Sequence, residues 1–203
     1  MESIEQKQQR LLPLIKEKLI LEEGLKLQAY KCTEGKWTIG VGRNFQDNPF
    51  TKDEQVVIKT TNEQPIKDYP KFLPNGFPDI RTNFEKRGKG VIEVMPFHIS
   101  NLAANYLLGN DLTKVQTSLR RIISDITEHH DNVIIVLTDM IFQMGFAGVM
   151  NFKDMLGAIN RKEYSQAAYD LKNSKYAKQT PKRADRNAKL LTKASPNYKS
   201  LKK

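Results

Sequence analysis

The sequence predicts an α+β fold, mainly α, with a small β-rich lobe and a larger helical lobe. Three observations carry this: an amphipathic run over residues 4–23, a strand–turn–strand pattern over 25–43, and a nearly continuous helical pattern from about residue 99. At 203 residues the chain can bury a sizeable core. The expected organisation is a single domain, 1–203, with lobes at 24–97 and 98–203 and helix 4–23 packed on the second.

In the first segment Leu11, Leu12, Ile15, Leu19 and Ile20 recur at helical spacing with charges between them. Gly24 is a good stop, so the helix should end at Glu23. The next run, Leu27-Gln28-Ala29-Tyr30, alternates apolar and polar. Thr33-Glu34-Gly35-Lys36 reads as a turn and Trp37-Thr38-Ile39-Gly40-Val41-Gly42 as the returning strand. Residues 44–97 hold six of the nine prolines, with Gly76, Gly88 and Gly90, which predicts short strands and loops and no long helix.

Beyond residue 99 the pattern turns helical. Ile99, Leu102, Ala103, Tyr106 and Leu107 fit one helix. Val133, Ile134, Val136, Leu137, Met140 and Ile141 lie in a segment that is apolar almost all round, as in a central buried helix. Shorter helices are expected near 152–161, 163–173 and 181–192, and the basic end Lys199–Lys203 should fray. A cleft between two such lobes is a natural binding site.

A formal net charge of +10 favours long polyanions: nucleic acid, an anionic membrane face or an anionic cell wall. No nucleic-acid-binding module is recognisable. No stretch approaches the roughly 18 apolar residues of a membrane helix. The first thirty residues are too charged for a secretory signal, so the chain is expected to start in a cytoplasm, without stable membrane insertion. A single cysteine, Cys32, excludes an internal disulfide. His129 and His130 are adjacent and would diverge by about 100° on a helix, and His98 is far away in sequence, so no zinc site is expected.

Glu23 stands where a helix gives way to a hairpin. A carboxyl partly removed from water there could donate a proton near neutrality. The segment from Glu23 through Cys32 and Thr38 to Gly42 resembles the signature of the phage-type lysozymes, the T4 lysozyme-like glycoside hydrolases. In that family a glutamate is followed, after eight residues, by Asp or Cys, and after five more by Thr. Glu-Gly-Leu, Ala-Tyr and Thr-Ile-Gly-Val-Gly match as well. Two later segments, Phe142-Gln143-Met144-Gly145 and Gln179-Thr180-Pro181-Lys182-Arg183-Ala184, resemble the family's central-helix and C-terminal elements in the same order.

The resemblance implies a lysozyme-like fold and a muramidase, a bacteriolytic endolysin cutting the β-1,4 bond between N-acetylmuramic acid and N-acetylglucosamine of peptidoglycan. It implies a monomer that needs no cofactor or metal and reaches the wall with the help of a holin. Glu23 would be the general acid, and Cys32 and Thr38 would hold the attacking water. Asn44, Phe142, Gln143 and Asp170 would contact substrate, although Asn44 and Asp170 differ in type from the family's residues there. Three departures stand out. Cys32 replaces the commoner Asp, Arg43 replaces a histidine, and Tyr176 replaces a tryptophan. Lys31 or Arg43 could favour a Cys32 thiolate. Loss of the Asp also keeps open a lytic transglycosylase giving 1,6-anhydromuramic products. A non-enzymatic lysozyme-fold protein binding the wall by charge is the third reading.

Overall fold

The computed structural model describes residues 2–62, 70–87, 90–123, 125–196 and 198. The expected frayed end, Lys199–Lys203, lies outside them. The elements run α1 (Ile4–Glu23), β1 (Lys26–Lys31), β2 (Trp37–Gly40), β3 (Arg43–Asn44), α2 (Lys52–Thr61), β4 (Asn83–Arg87), β5 (Gly90–Val94), α3 (Asn101–Ile122), α4 (Asp131–Met150), α5 (Lys153–Asn160), α6 (Tyr164–Lys172), α7 (Lys175–Gln179) and α8 (Pro181–Ala194). This is the mainly helical α+β class that the sequence predicts. Two compact units form: Met1–Lys18 with Leu112–Lys203, and Leu19–Asp111.

Helix α1 ends where expected, with Gly24 in the left-handed region at φ 76°. Pro13 sits inside the helix. It and Gln9, whose carbonyl it leaves without a helical donor, are both exposed, so water can satisfy that carbonyl.

In the 19–111 unit β1, β2 and β3 form an antiparallel meander, with Tyr30 opposite Thr38 and Thr38 opposite Asn44. The described residues of the proline-rich stretch hold more regular structure than the sequence suggests. It contains α2, a ten-residue helix where only strands and loops were expected. The prolines bracket α2 instead of interrupting it. Thr51 caps it, accepting from the Glu54 N–H while the Glu54 carboxylate accepts from the Thr51 N–H, a reciprocal capping box. Phe45, Phe50, Phe72, Phe77 and Phe97 stack on one another at centroid separations of 5.3–6.2 Å and form the heart of this unit's core. Gly76 closes it: a β-carbon there would lie 2.2 Å from the Phe50 carbonyl oxygen, so only glycine fits.

Arg43 is buried in the same unit. Its guanidinium meets Asp111 at 2.6 Å and Glu54 at 3.1 Å, and its Nε donates to the Asn48 carbonyl at 3.0 Å. Burial raises the Glu54 pKa, but bonds from Asn110, the Thr51 N–H and Arg43 outweigh it and hold the carboxyl below its ordinary value.

In the other unit α4 is the central buried helix; Val133 to Ile141 are nearly or wholly inaccessible. One expectation is corrected here. By length and composition α4 is apolar enough to cross a membrane. In this fold its first half is packed inside protein, and Gly145, at φ 72° and ψ 171°, breaks its second half. His129 and His130 are not helical neighbours either. His130 caps α4 through the Asn132 N–H, and His129 bonds the Tyr164 hydroxyl at 3.1 Å. Asp139, on α4, is buried and fastens α8: Arg183 donates to it at 2.8 and 3.1 Å and Asn187 at 2.7 Å.

Asp139→Ala breaks the buried Asp139–Arg183 pair. It should lower the unfolding free energy by about 3–5 kcal/mol, the usual cost of removing one partner of a buried ion pair. Urea titration of both proteins checks this; a loss comparable to a surface substitution would remove the pair from the stabilising framework.

Candidate active site

Glu23 is the last residue of α1 and is half-buried. Gly24 then turns the chain so that β1 starts at Lys26. The carboxylate lies beside Gly42. A β-carbon built there would stand 3.5 Å from Glu23 Oε2 and 3.6 Å from its Cγ. Gly42 also has φ 69°, a conformation that disfavours any side chain. The glycine just after β2 therefore lets the helix end and the meander approach closely.

Cys32 follows β1. Its N–H donates to the Lys36 carbonyl and its carbonyl accepts from the Gly35 N–H, both at 2.9 Å, which closes the turn. Residues 30 and 32 point to one face of the hairpin, and Thr38, opposite Tyr30, points to the same face. The Thr38 hydroxyl is buried and donates to the Lys36 carbonyl at 3.1 Å. Partial burial raises the thiol pKa. The N–H groups of Glu34 and Lys36 and the Thr38 hydroxyl more than offset this, and the thiol lies below its ordinary value. These hydrogen bonds are the cause, not the cations expected from the sequence. Lys31 is drawn to Glu93 and the Trp37 ring, and Arg43 to Glu54 and Asp111.

Tyr30 joins the group. Its phenol pKa is raised by burial and then by the negative charges of Glu23 and Cys32, so both groups lie within electrostatic reach of one ring. Lys26 covers that ring at 3.8 Å from its centroid. Sequence reasoning quoted Tyr30 only as part of a motif; its pairing opposite Thr38 depends on hairpin register. Asn44, opposite Thr38 on β3, spends its side chain locally: Oδ1 accepts from the N–H groups of Gln46 and Asp47, and Nδ2 donates to Asp47 at 3.0 Å.

The other expected substrate contacts belong to the second unit. Gln143 and Asp170 line one cavity of about 680 Å³, together with Tyr176, Phe152, Lys153, Lys175 and others. The Tyr176 hydroxyl donates to Gln143 Oε1 at 3.0 Å, and Asp170 accepts from Gln166 at 2.8 Å. Phe142, half-buried, is not among the lining residues. Among the described residues no cluster of three or more His, Cys, Asp or Glu could hold a metal ion.

No protein-family model matches the chain. Two proteins of Dictyostelium discoideum are similar to it. One, named "Probable T4-type lysozyme 2", is 33% identical over 177 residues, covering 85% of this chain and 89% of that protein. The other, "Probable T4-type lysozyme 1", is 30% identical over 175 residues with the same coverage.

The hydrogen bonds to Cys32 favour its thiolate, so the rate of alkylation by iodoacetamide should rise with pH about a midpoint below that of the same cysteine in the urea-unfolded chain. A folded midpoint at or above the unfolded one would mean that burial dominates. A group with a depressed folded pKa adds stability above its unfolded pKa. That contribution fades as pH falls toward the folded value.

Proposed function

Because the chain belongs to the T4-type lysozyme family, we propose that it hydrolyses the β-1,4 bond between N-acetylmuramic acid and N-acetylglucosamine in bacterial peptidoglycan. The observation that carries this reading is the pairing of Tyr30 with Thr38, next to Cys32 on the hairpin, within the unit that also holds Glu23 beside Gly42. Glycoside cleavage needs a proton for the leaving oxygen and, in an inverting enzyme, a water held on the opposite face of the sugar. Glu23 supplies the proton as the C1–O bond breaks. Cys32 and Thr38 hold the water, whose oxygen bonds to C1 while its proton passes to the Cys32 sulfur.

Thr38 suits that role because its hydroxyl, while donating to the Lys36 carbonyl, keeps its own lone pairs to accept from a water. Gln143, Asp170 and the cavity they line would bind another part of the wall polymer, and Phe142 and Asn44 complete the proposed contacts. The resemblance also carries the proposed setting: synthesis in a host cytoplasm and holin-assisted passage to the wall. The two relatives described above come from Dictyostelium discoideum, not from a phage.

Glu23→Gln keeps the shape of the side chain and removes the titratable proton. Clearing of purified peptidoglycan should slow by roughly 10²–10⁴-fold, with an unchanged circular dichroism spectrum. Near-normal turnover would remove Glu23 from the chemistry. Wild-type products formed in ¹⁸O-water should carry labelled reducing muramic ends by mass spectrometry; mainly 1,6-anhydro ends would place the chain with the transglycosylases. Cys32→Ala should lose most activity and Cys32→Asp should keep much of it. A folded, fully active Cys32→Ala would leave Thr38 alone with the water.

A further inference from the structure

A second cavity, of about 620 Å³, lies within the 19–111 unit, between β1, the end of α2 and the first turn of α3. Glu23, Cys32 and Thr38 are not among its lining residues. Backbone hydrogen bonds fix its frame: the Ala29 N–H donates to the Phe97 carbonyl and the Ile99 N–H to the Leu27 carbonyl, both at 2.8 Å. Its volume falls in the range of small-ligand sites, roughly 300–1,000 Å³.

Hydrogen bonds between the end of α2 and the start of α3 decide what the cavity can offer. The Thr61 hydroxyl donates to the Val57 carbonyl at 2.7 Å, so its one proton is committed. The Ser100 hydroxyl, 2.7 Å from Thr61 Oγ, is therefore the donor of that pair. Ser100 Oγ in turn accepts from the Ala103 N–H at 3.0 Å. Both hydroxyl protons are spent, and each oxygen keeps a lone pair for a ligand. Asn62 gives an amide N–H to the His98 carbonyl at 3.1 Å and retains its Oδ1 as an acceptor. Apolar surface comes from Leu27 and from Leu102, which is 64% exposed.

This chemistry selects a ligand class. Among the described residues that line the cavity there is no lysine, arginine, aspartate or glutamate. An anion would meet acceptors there without a cation, and a metal cation would meet no carboxylate. A peptide segment brings one N–H per residue together with a carbonyl that these acceptors repel. A sugar ring brings several adjacent hydroxyl donors on a neutral frame. An acetamido substituent adds an N–H donor and a methyl group for the leucines.

We propose that this cavity binds a neutral saccharide, an N-acetylhexosamine unit, whose hydroxyl and amide protons are donated to Thr61 Oγ, Ser100 Oγ and Asn62 Oδ1 while its acetamido methyl lies against Leu27 and Leu102. Under the hydrolysis proposed above, the cavity holds the polymer at a second place; the binding itself stands without that reading.

The test is titration of the ¹⁵N-labelled full chain with N-acetylglucosamine, glucose and sodium phosphate in parallel, followed in ¹H–¹⁵N correlation spectra. The expected result is saturable shifts of the Asn62, Ser100 and Asn101 amides with N-acetylglucosamine. Glucose, which lacks the acetamido group, should bind more weakly, and phosphate should leave these amides in place. Thr61→Val keeps the shape of the side chain and removes an acceptor; it should weaken binding about three- to tenfold, the effect of one neutral hydrogen bond. Asn101→Trp, at an exposed position, should block the cavity and abolish the shifts. Circular dichroism checks that both variants are folded. Absence of shifts at these amides overturns the proposal. So do shifts confined to the 23–42 segment, which would leave the sugar at the candidate active site alone, and so does undiminished binding by both variants. Phosphate moving these amides where N-acetylglucosamine does not would give the cavity to an anion. None of these outcomes depends on cleavage of peptidoglycan, so a failed cleavage assay and a failed binding test are told apart.

Discussion

A guanidinium cannot be buried without acceptors for its donors, and Arg43 imposes that requirement on the whole 19–111 unit. It draws in Glu54 from the first turn of α2, Asp111 from α3 and the Asn48 carbonyl from the loop before α2. Glu54 is at the same time half of the capping box that starts α2 and the acceptor of Asn110. One cation thus sets where a helix begins and how it faces the long helix after it. Gly42, beside which the Glu23 carboxylate lies, is the residue immediately before Arg43. The anchoring of Arg43 therefore acts one residue from the neighbour of Glu23.

Polar groups in the site are arranged by short-range rules. The hairpin turn supplies N–H groups to the Cys32 sulfur, strand register brings Thr38 to the same face, and the helix stop at Gly24 delivers Glu23 to the base of the meander. A cysteine in this position keeps some of the character of a carboxylate because hydrogen-bond donors favour its thiolate. That solution leaves Lys31 and Arg43 free for structural pairings.

The features legible in the sequence were those written in neighbouring residues. Gly24 marked the end of α1, Gly35 marked the hairpin turn, and the uniform apolarity of 133–141 marked the buried helix. Helix α2 was equally local: Thr51 and Glu54 stand at capping-box spacing, but the surrounding prolines drew attention away from it. What could not be read depends on contacts across the chain. Arg43 meets Asp111 from 68 residues away, and Asp139 meets Arg183 from 44 away. No local pattern announces either pairing. The same holds for Tyr30, whose place beside Glu23 and Cys32 follows from register and burial.

The division of the chain also has a temporal side. The first eighteen residues pack with Leu112–Lys203, whereas Leu19–Asp111 forms a unit of consecutive residues. On a ribosome the consecutive unit is complete while its N-terminal neighbour still lacks every partner. At roughly 5–20 residues per second, the first turns of α1 wait about 9–35 s until Ala194, the end of α8, is made. During that interval Leu11 and Ile15 have no core to enter. The late arrival of α8, with Arg183 to neutralise Asp139, closes the second unit. Vectorial synthesis thus completes the 19–111 segment before the two segments that flank it in sequence can pair.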